Sequence, residues 1–203
     1  MLVGSVVAAS VAAAAALTVV IGLEPEWYGV AVRDVLAVAR AGDPLTFYAG
    51  WVTYLGALGW FAAATAGVLT GLVLRGRAPR RRTSLLLWGG LVSLAMGVDD
   101  LFMFHDGVLA WQGVPEEATM AALGLAAAVW ALTFLGSWAR ELTGLLLVAA
   151  GAWFAHSVLV DVLDVSLLVH EEASKLAAVL CWTAWFTAVS ARELRRATAP
   201  AAR

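Results

Sequence analysis

Taken as apolar and polar positions alone, the chain is a series of long apolar runs separated by short polar breaks. Six runs can be drawn, at about 3–22, 49–74, 84–110, 118–138, 142–164 and 168–192. Periodicity does not separate helix from strand in runs this apolar. Length does, because a membrane-spanning helix needs about 20 residues and a barrel strand only about 9–11. The pattern predicts an all-α, polytopic bundle of six transmembrane helices, forming a single domain over residues 1–203.

The breaks have physical causes. Residues 75–82 read R-G-R-A-P-R-R-R, too charged for hydrocarbon and interrupted by Pro79, and they set a basic loop at 75–83. Gly113, Pro115, Glu116 and Glu117 end one helix and begin another, with proline at a first-turn position. Asp164 and Ser166 are N-cap candidates for the last helix. The long connection 24–48 has room for a short interfacial helix between Trp27 and Arg40. The first run lacks the positive n-region of a secretory signal and exceeds the usual 7–15 apolar residues, so it is read as the first span.

Charge adds orientation. If the N-terminus is cytoplasmic, Arg75, Arg77, Arg80, Arg81, Arg82, Arg140, Arg192, Arg195, Arg196 and Arg203 fall inside, and only Arg33, Arg40 and Lys175 fall outside. Cytoplasmic loops carry the excess of Lys and Arg, so both termini are expected in the cytoplasm. Of the acidic residues only Glu141 and Glu193 share the basic side; the rest, with all three histidines, lie toward the other face. Composition agrees, with 62% hydrophobic residues, 14% charged residues and a mean hydropathy of +0.85, against roughly 25% charge in soluble domains. The lone Cys181 excludes an intrachain disulfide and a CxxC motif. The expected location is the plasma membrane, with a site facing the extracytoplasmic side; no nucleic acid is expected as a partner.

Residues 98–106, V-D-D-L-F-M-F-H-D, place three carboxylates and a histidine in nine positions of an otherwise apolar chain. A charge near the bilayer centre costs at least about 2.5–3.5 kcal/mol, and such groups usually face a bundle interior or a cavity. Asp99 and Asp100 are the deepest. A similar pattern recurs as Asp164, then His170 and Glu171. On a straight helix Asp100 and His105 point about 140° apart, so any site must be assembled between helices. Counted along their helices, Asp99, Asp100 and His156 reach similar depths, roughly 21–24 Å from the basic ends; Asp161, Asp164, His105, His170 and Glu171 lie further out. The third, fifth and sixth segments are therefore expected to line an outward-opening polar cavity. Its donors suit a divalent metal, Zn²⁺, Fe²⁺ or Mn²⁺, with Asp100, His105, His156, Asp161, His170 and Glu171 as candidate ligands and Asp99 and Asp164 as candidate acid/base groups. The outermost carboxylates also read as solvated helix ends.

In residue types alone, three histidines with aspartates nearby, the chain is similar to the alkaline ceramidase and adiponectin-receptor group of membrane hydrolases, which bind zinc between transmembrane helices. It departs from them in lacking H-x-x-x-H and a seventh segment. Three functions follow from the cluster. The first is a metal-dependent membrane enzyme, a hydrolase or oxidase, acting on a lipid or other apolar substrate. The second is a proton- or cation-coupled transporter or channel, although no acidic residue continues the cluster through the inner half. The third is a haem protein using His105 and His156 as axial ligands.

Overall fold

The computed structural model describes residues 30–31, 35–43, 49–162 and 168–199. The expected first span, most of the 24–48 connection and Asp164 lie outside these residues. Within them the chain is helical, with no strand. The helices are α1 (Val35–Arg40), α2 (Trp51–Val73), α3 (Arg80–Phe102), α4 (Leu109–Trp111), α5 (Glu116–Thr133), α6 (Leu135–Trp138), α7 (Gly144–Val162) and α8 (Leu168–Thr198), and a π-helical turn (Phe104–Val108) links α3 to α4. Three helices, Trp51–Val73, Arg80–Phe102 and Glu171–Thr198, are long and apolar enough to cross a membrane, and a shorter apolar helix covers Gly144–Val160. This is the pattern of an integral membrane protein.

The run expected as one helix over 84–110 is broken. It starts earlier, at Arg80, and ends at Phe102, where Met103 turns to φ 51° and ψ 46° before the π-helical turn. The run expected over 118–138 starts at Glu116, directly after Pro115, and is divided at Phe134.

Lipid tails are as apolar as leucine, so the bundle is held by close packing and hydrogen bonds rather than by exclusion of water. The α2–α3 seam shows both. Gly67 and Gly71 of α2 and Gly90 and Gly97 of α3 are the residues over which the helices approach. A Cβ on Gly67 would lie 2.8 Å from the Leu86 carbonyl oxygen, and one on Gly90 would lie 2.8 Å from the Val68 nitrogen. Gly89 makes room of another kind, since a Cβ there would lie 2.6 Å from the rings of Trp130 and Phe186.

Those rings belong to an aromatic core. Trp130 stacks on Phe186, Trp182 and Trp185 pack around them, and Trp60 stacks on Phe154 at 5.6 Å. The indole N–H groups are fixed across helices: Trp130 donates to the Leu85 carbonyl at 2.9 Å and Trp182 to Ser93 Oγ at 2.8 Å. Thr183 and Ser190 of α8 donate to the carbonyls of Gly59 and Ala66 on α2. Interhelical bonds of this kind contribute about 0.6 kcal/mol each on average. Trp60, Trp130, Trp182 and Trp185 thus pack inside, as their positions along the runs imply, while Trp111 is 90% exposed at a helix end.

At the arginine-rich end, Glu141 joins three elements. It pairs with Arg82 of α3 at 2.8 Å and with Arg192 of α8 at 2.6 Å, from the link between α6 and α7. Burial alone would raise the Glu141 carboxyl, but the hydrogen bonds and charges of Arg192 and Arg82 outweigh it and hold the group below its ordinary value of 4.5. A depressed folded value adds stability that is present above the unfolded value and is lost as pH falls through the folded one. Glu141→Gln is therefore expected to lower the melting temperature at neutral pH and to converge on the wild type in acid below that depressed value, as thermal melts across pH would record.

Candidate functional site

The end of α3 builds the site. On a continuous helix Asp99 and His105 would stand about 120° apart and about 9 Å apart along the axis. The turn at Met103 removes that separation. Its backbone N–H still bonds the Asp99 carbonyl, but its left-handed conformation folds the next residues back over the helix end. Asp99 Oδ1 then accepts the backbone N–H of His105 at 3.0 Å, and Oδ2 lies 2.7 Å from His105 Nδ1. Asp99 is 5% exposed, so a buried carboxylate fixes both the backbone and the ring of the same residue. With Asp99 ionised, Nδ1 carries the proton and Nε2 is the nitrogen left for other chemistry.

Left-handed backbone at a non-glycine residue costs roughly 1–2 kcal/mol, and Met103 is the one described non-glycine residue with positive φ. Met103→Gly is expected to be neutral or to stabilise by up to about 1 kcal/mol, and the β-branched Met103→Val to cost about 1–2 kcal/mol. Denaturation of the two variants in detergent checks the order.

His105 lies beyond the last residue of the spanning part of α3. The hydrogen bond that His105 donates to Asp99 raises its pKa; burial opposes this, and the charges of Asp99, Glu116 and Asp100 add to the rise above the ordinary 6.5. A raised folded value means that the stabilisation from this pair is complete below the unfolded value and is lost as pH rises through the folded one. His105 becomes a free base only above its raised value. Any activity that uses it as a base is expected to rise along an acid limb lying above 6.5, which a pH–rate profile measures.

Beside this pair is a partly open cavity of about 90 Å³, room for several waters or a small polar group. Asp100 and His105 line one side, Thr53 and Gly56 of α2 another, and Glu172 and Lys175 of α8 a third, with Val52, Leu176 and Val179 as apolar wall. The Trp60 side chain hydrogen-bonds Asp100. Lys175 Nζ bridges Glu171 at 2.6 Å and Glu172 at 2.9 Å, so two carboxylates of its own helix more than offset its charge. Above the cavity, Arg40 of α1 grips Asp106 in bidentate fashion at 2.7 and 2.9 Å and also bonds the Asp106 carbonyl. The larger hollow on α7 at Phe154, Ala155, Val158 and Leu159 is shallow and apolar.

The structure distributes the expected residues unevenly. Asp99, Asp100 and His105 come together. Glu171 contributes through Lys175. His156 is exposed, with Nδ1 2.9 Å from Ser174 Oγ, and is not among the residues lining the cavity. Asp161 sits in the last turn of α7 and His170 in the first turn of α8, but their side chains, like the whole of Asp164, lie outside the described residues. Among the described residues, one cavity wall comes from the second segment, which was not expected there. Among the described residues, no three His, Cys, Asp or Glu side chains gather as a group able to hold a metal.

Glu172, Lys175 and Thr53 were not among the expected site residues. Glu172, Lys175, Leu176 and Val179 fall at i, i+3, i+4 and i+7, one stripe of a helix, and that spacing was available to mark Glu172. Thr53 had no such signal, because its helix carries no charge.

Compared with known proteins, the chain matches a family model described as a domain of unknown function (DUF8692) over residues 4–189. No curated protein and no solved structure matches it.

Proposed function

The chain belongs to the DUF8692 family, and from its site we propose that it is a membrane-embedded enzyme in which the Asp99–His105 pair performs acid–base chemistry on a lipid or other apolar substrate. The observation that carries this reading is the double grip of Asp99 on His105, on backbone N–H and on Nδ1, beside a polar cavity. A carboxylate that fixes the tautomer and orientation of an imidazole is the usual support of a histidine general base. In the proposed arrangement six helices span the membrane, both termini are cytoplasmic and the cavity opens outward. Below the cavity the bundle is filled by Trp60, Trp130, Trp182, Trp185 and Phe186, which favours a site serving one face over a pathway through the monomer.

A metal-dependent form is the second reading, and one observation favours it. Metal-ligating histidines characteristically donate their other N–H to a carboxylate, which is the position Asp99 occupies at Nδ1. His105 Nε2 would then be the ligand, and a metal would supply activated water.

The test is to incubate the purified protein with a total polar lipid extract and follow lipid species by mass spectrometry, alongside elemental analysis of the same preparation. The expected result is a species consumed by the wild type and spared by Asp99→Asn and His105→Ala. Near-stoichiometric Zn, Fe or Mn that is lost in His105→Ala would select the metal-dependent form. Identical lipid profiles in all three proteins would sink the enzyme reading.

A further inference from the structure

We infer that the cavity beside Asp99 and His105 takes a primary ammonium group, carried on the headgroup of an amine-bearing lipid. This names the polar part of the substrate in the enzyme reading above and rests on it. Charge is the first ground. Around the cavity four carboxylates, Asp99, Asp100, Glu171 and Glu172, face one histidine and one lysine, His105 and Lys175, among the described residues. Two negative charges are left over even when His105 is protonated. Lys175 is held between Glu171 and Glu172, and Arg40 is gripped by Asp106, so neither cation is offered to an anionic headgroup. A confined excess of one sign concentrates ligands of the other.

The walls decide which cation. The carboxylates stand around the space without converging, since no three His, Cys, Asp or Glu side chains gather as a metal-holding group among the described residues. A primary ammonium has three N–H donors pointing in different directions, so it can bond acceptors that are spread apart. Asp100, Glu172 and the hydroxyl of Thr53 supply such acceptors from three different helices. Gly56 makes the room. A Cβ there would meet only Asp100 Oδ2 within 4 Å, at 3.9 Å, so the missing side chain leaves that carboxylate open to the cavity. Val52, Leu176 and Val179 form an apolar side that suits the methylenes next to an amine. Asp100 lies two residues before the end of the spanning α3, the level at which hydrocarbon gives way to headgroups, and this favours a lipid amine. A soluble amine would bring the same chemistry, so the test separates the two sources.

The full chain in nonionic detergent at neutral pH is titrated with phosphatidylethanolamine, phosphatidylcholine, phosphatidylglycerol or free ethanolamine at matched ionic strength, and thermal unfolding is followed. The expected result is a saturable rise in melting temperature with phosphatidylethanolamine. None is expected with phosphatidylcholine, whose quaternary nitrogen has no N–H, or with phosphatidylglycerol, which has no amine. An equal rise with ethanolamine would support the site and identify its occupant as a soluble amine. Asp100→Asn and Glu172→Gln keep the shapes and remove the charges, while Gly56→Val fills the space. Each is expected to need about tenfold more phosphatidylethanolamine for half the effect. Variants that respond like the wild type would overturn the proposal. So would a rise with phosphatidylcholine equal to that with phosphatidylethanolamine, or no rise with any addition. Binding is read here without turnover. A rise with unchanged lipid profiles would retain the amine site and sink only the enzyme reading; turnover with no preference for amine lipids would do the reverse.

Discussion

Asp99→Asn is expected to lower turnover by about 10²–10⁴-fold, the range that general acid–base catalysis contributes, with little loss of fold. Asparagine is close to isosteric, and its oxygen can still accept the His105 backbone N–H that Asp99 Oδ1 now accepts at 3.0 Å. The amide nitrogen then faces Nδ1, where an acceptor stood at 2.7 Å. The ring responds by moving its proton to Nε2, which converts the working nitrogen from base to donor. A readout independent of substrate accompanies this. Without the Asp99 hydrogen bond and charge, the first and third causes of the raised His105 pKa disappear, so its titration followed by NMR is expected to shift down. Asp99→Ala is a different experiment, because it leaves the His105 backbone N–H without its acceptor at a cost of about 1–3 kcal/mol. A loss of turnover in Asp99→Ala with none in Asp99→Asn would make Asp99 a structural cap rather than the partner of a base.

The largest effect on stability is expected from Gly90→Leu. The first added carbon already lies 2.8 Å from the Val68 backbone nitrogen and 3.1 Å from the Ala64 carbonyl oxygen. Backbone atoms of a neighbouring helix cannot rotate away, so α2 and α3 must separate along the seam. Overpacking of this kind costs typically 1–3 kcal/mol and occasionally more, and leucine adds three further carbons, so at least about 3 kcal/mol is expected. Separation would also disturb the cavity, since Gly56 and Asp100 face one another across the same seam, where a Cβ on Gly56 would lie 3.9 Å from Asp100 Oδ2. Gly124→Ala is the control, because nothing lies within 4 Å of a Cβ added there. It is expected to be neutral or to gain up to about 1 kcal/mol from helix propensity. Detergent unfolding of the two variants measures the contrast; similar losses in both would refute the packing argument.

The candidate site was legible in the sequence to different depths. Asp99, Asp100 and His105 stood out because a carboxylate is costly in an apolar run, and cost is a property of one residue in its window. Their mutual arrangement did not stand out. Fixed helical angles put Asp99 and His105 on different sides, and no Gly, Pro or Asn announces a left-handed residue at Met103. His156 read as a site residue because its depth matched that of Asp99. Depth along a helix says nothing of azimuth, and its azimuth carries it to Ser174 instead. Glu172 reads as a solvated helix end and Lys175 as an ion-pair partner, which it is. They lie near a helix start, where charges are ordinary, and only the approach of α8 to α2 and α3 brings them to a cavity.

By itself the sequence determined that this is a helical protein with runs long and apolar enough to cross a membrane. Hydropathy and charge act residue by residue and sum along the chain, so no knowledge of neighbours in space is needed. The tertiary structure decided which faces meet. Glycines at the α2–α3 seam bring an uncharged helix against Asp100, a left-handed methionine returns His105 to Asp99, and an aromatic core fills the bundle beneath them. Each depends on the close fit of surfaces distant in sequence, and such a fit leaves little trace in any single run of residues.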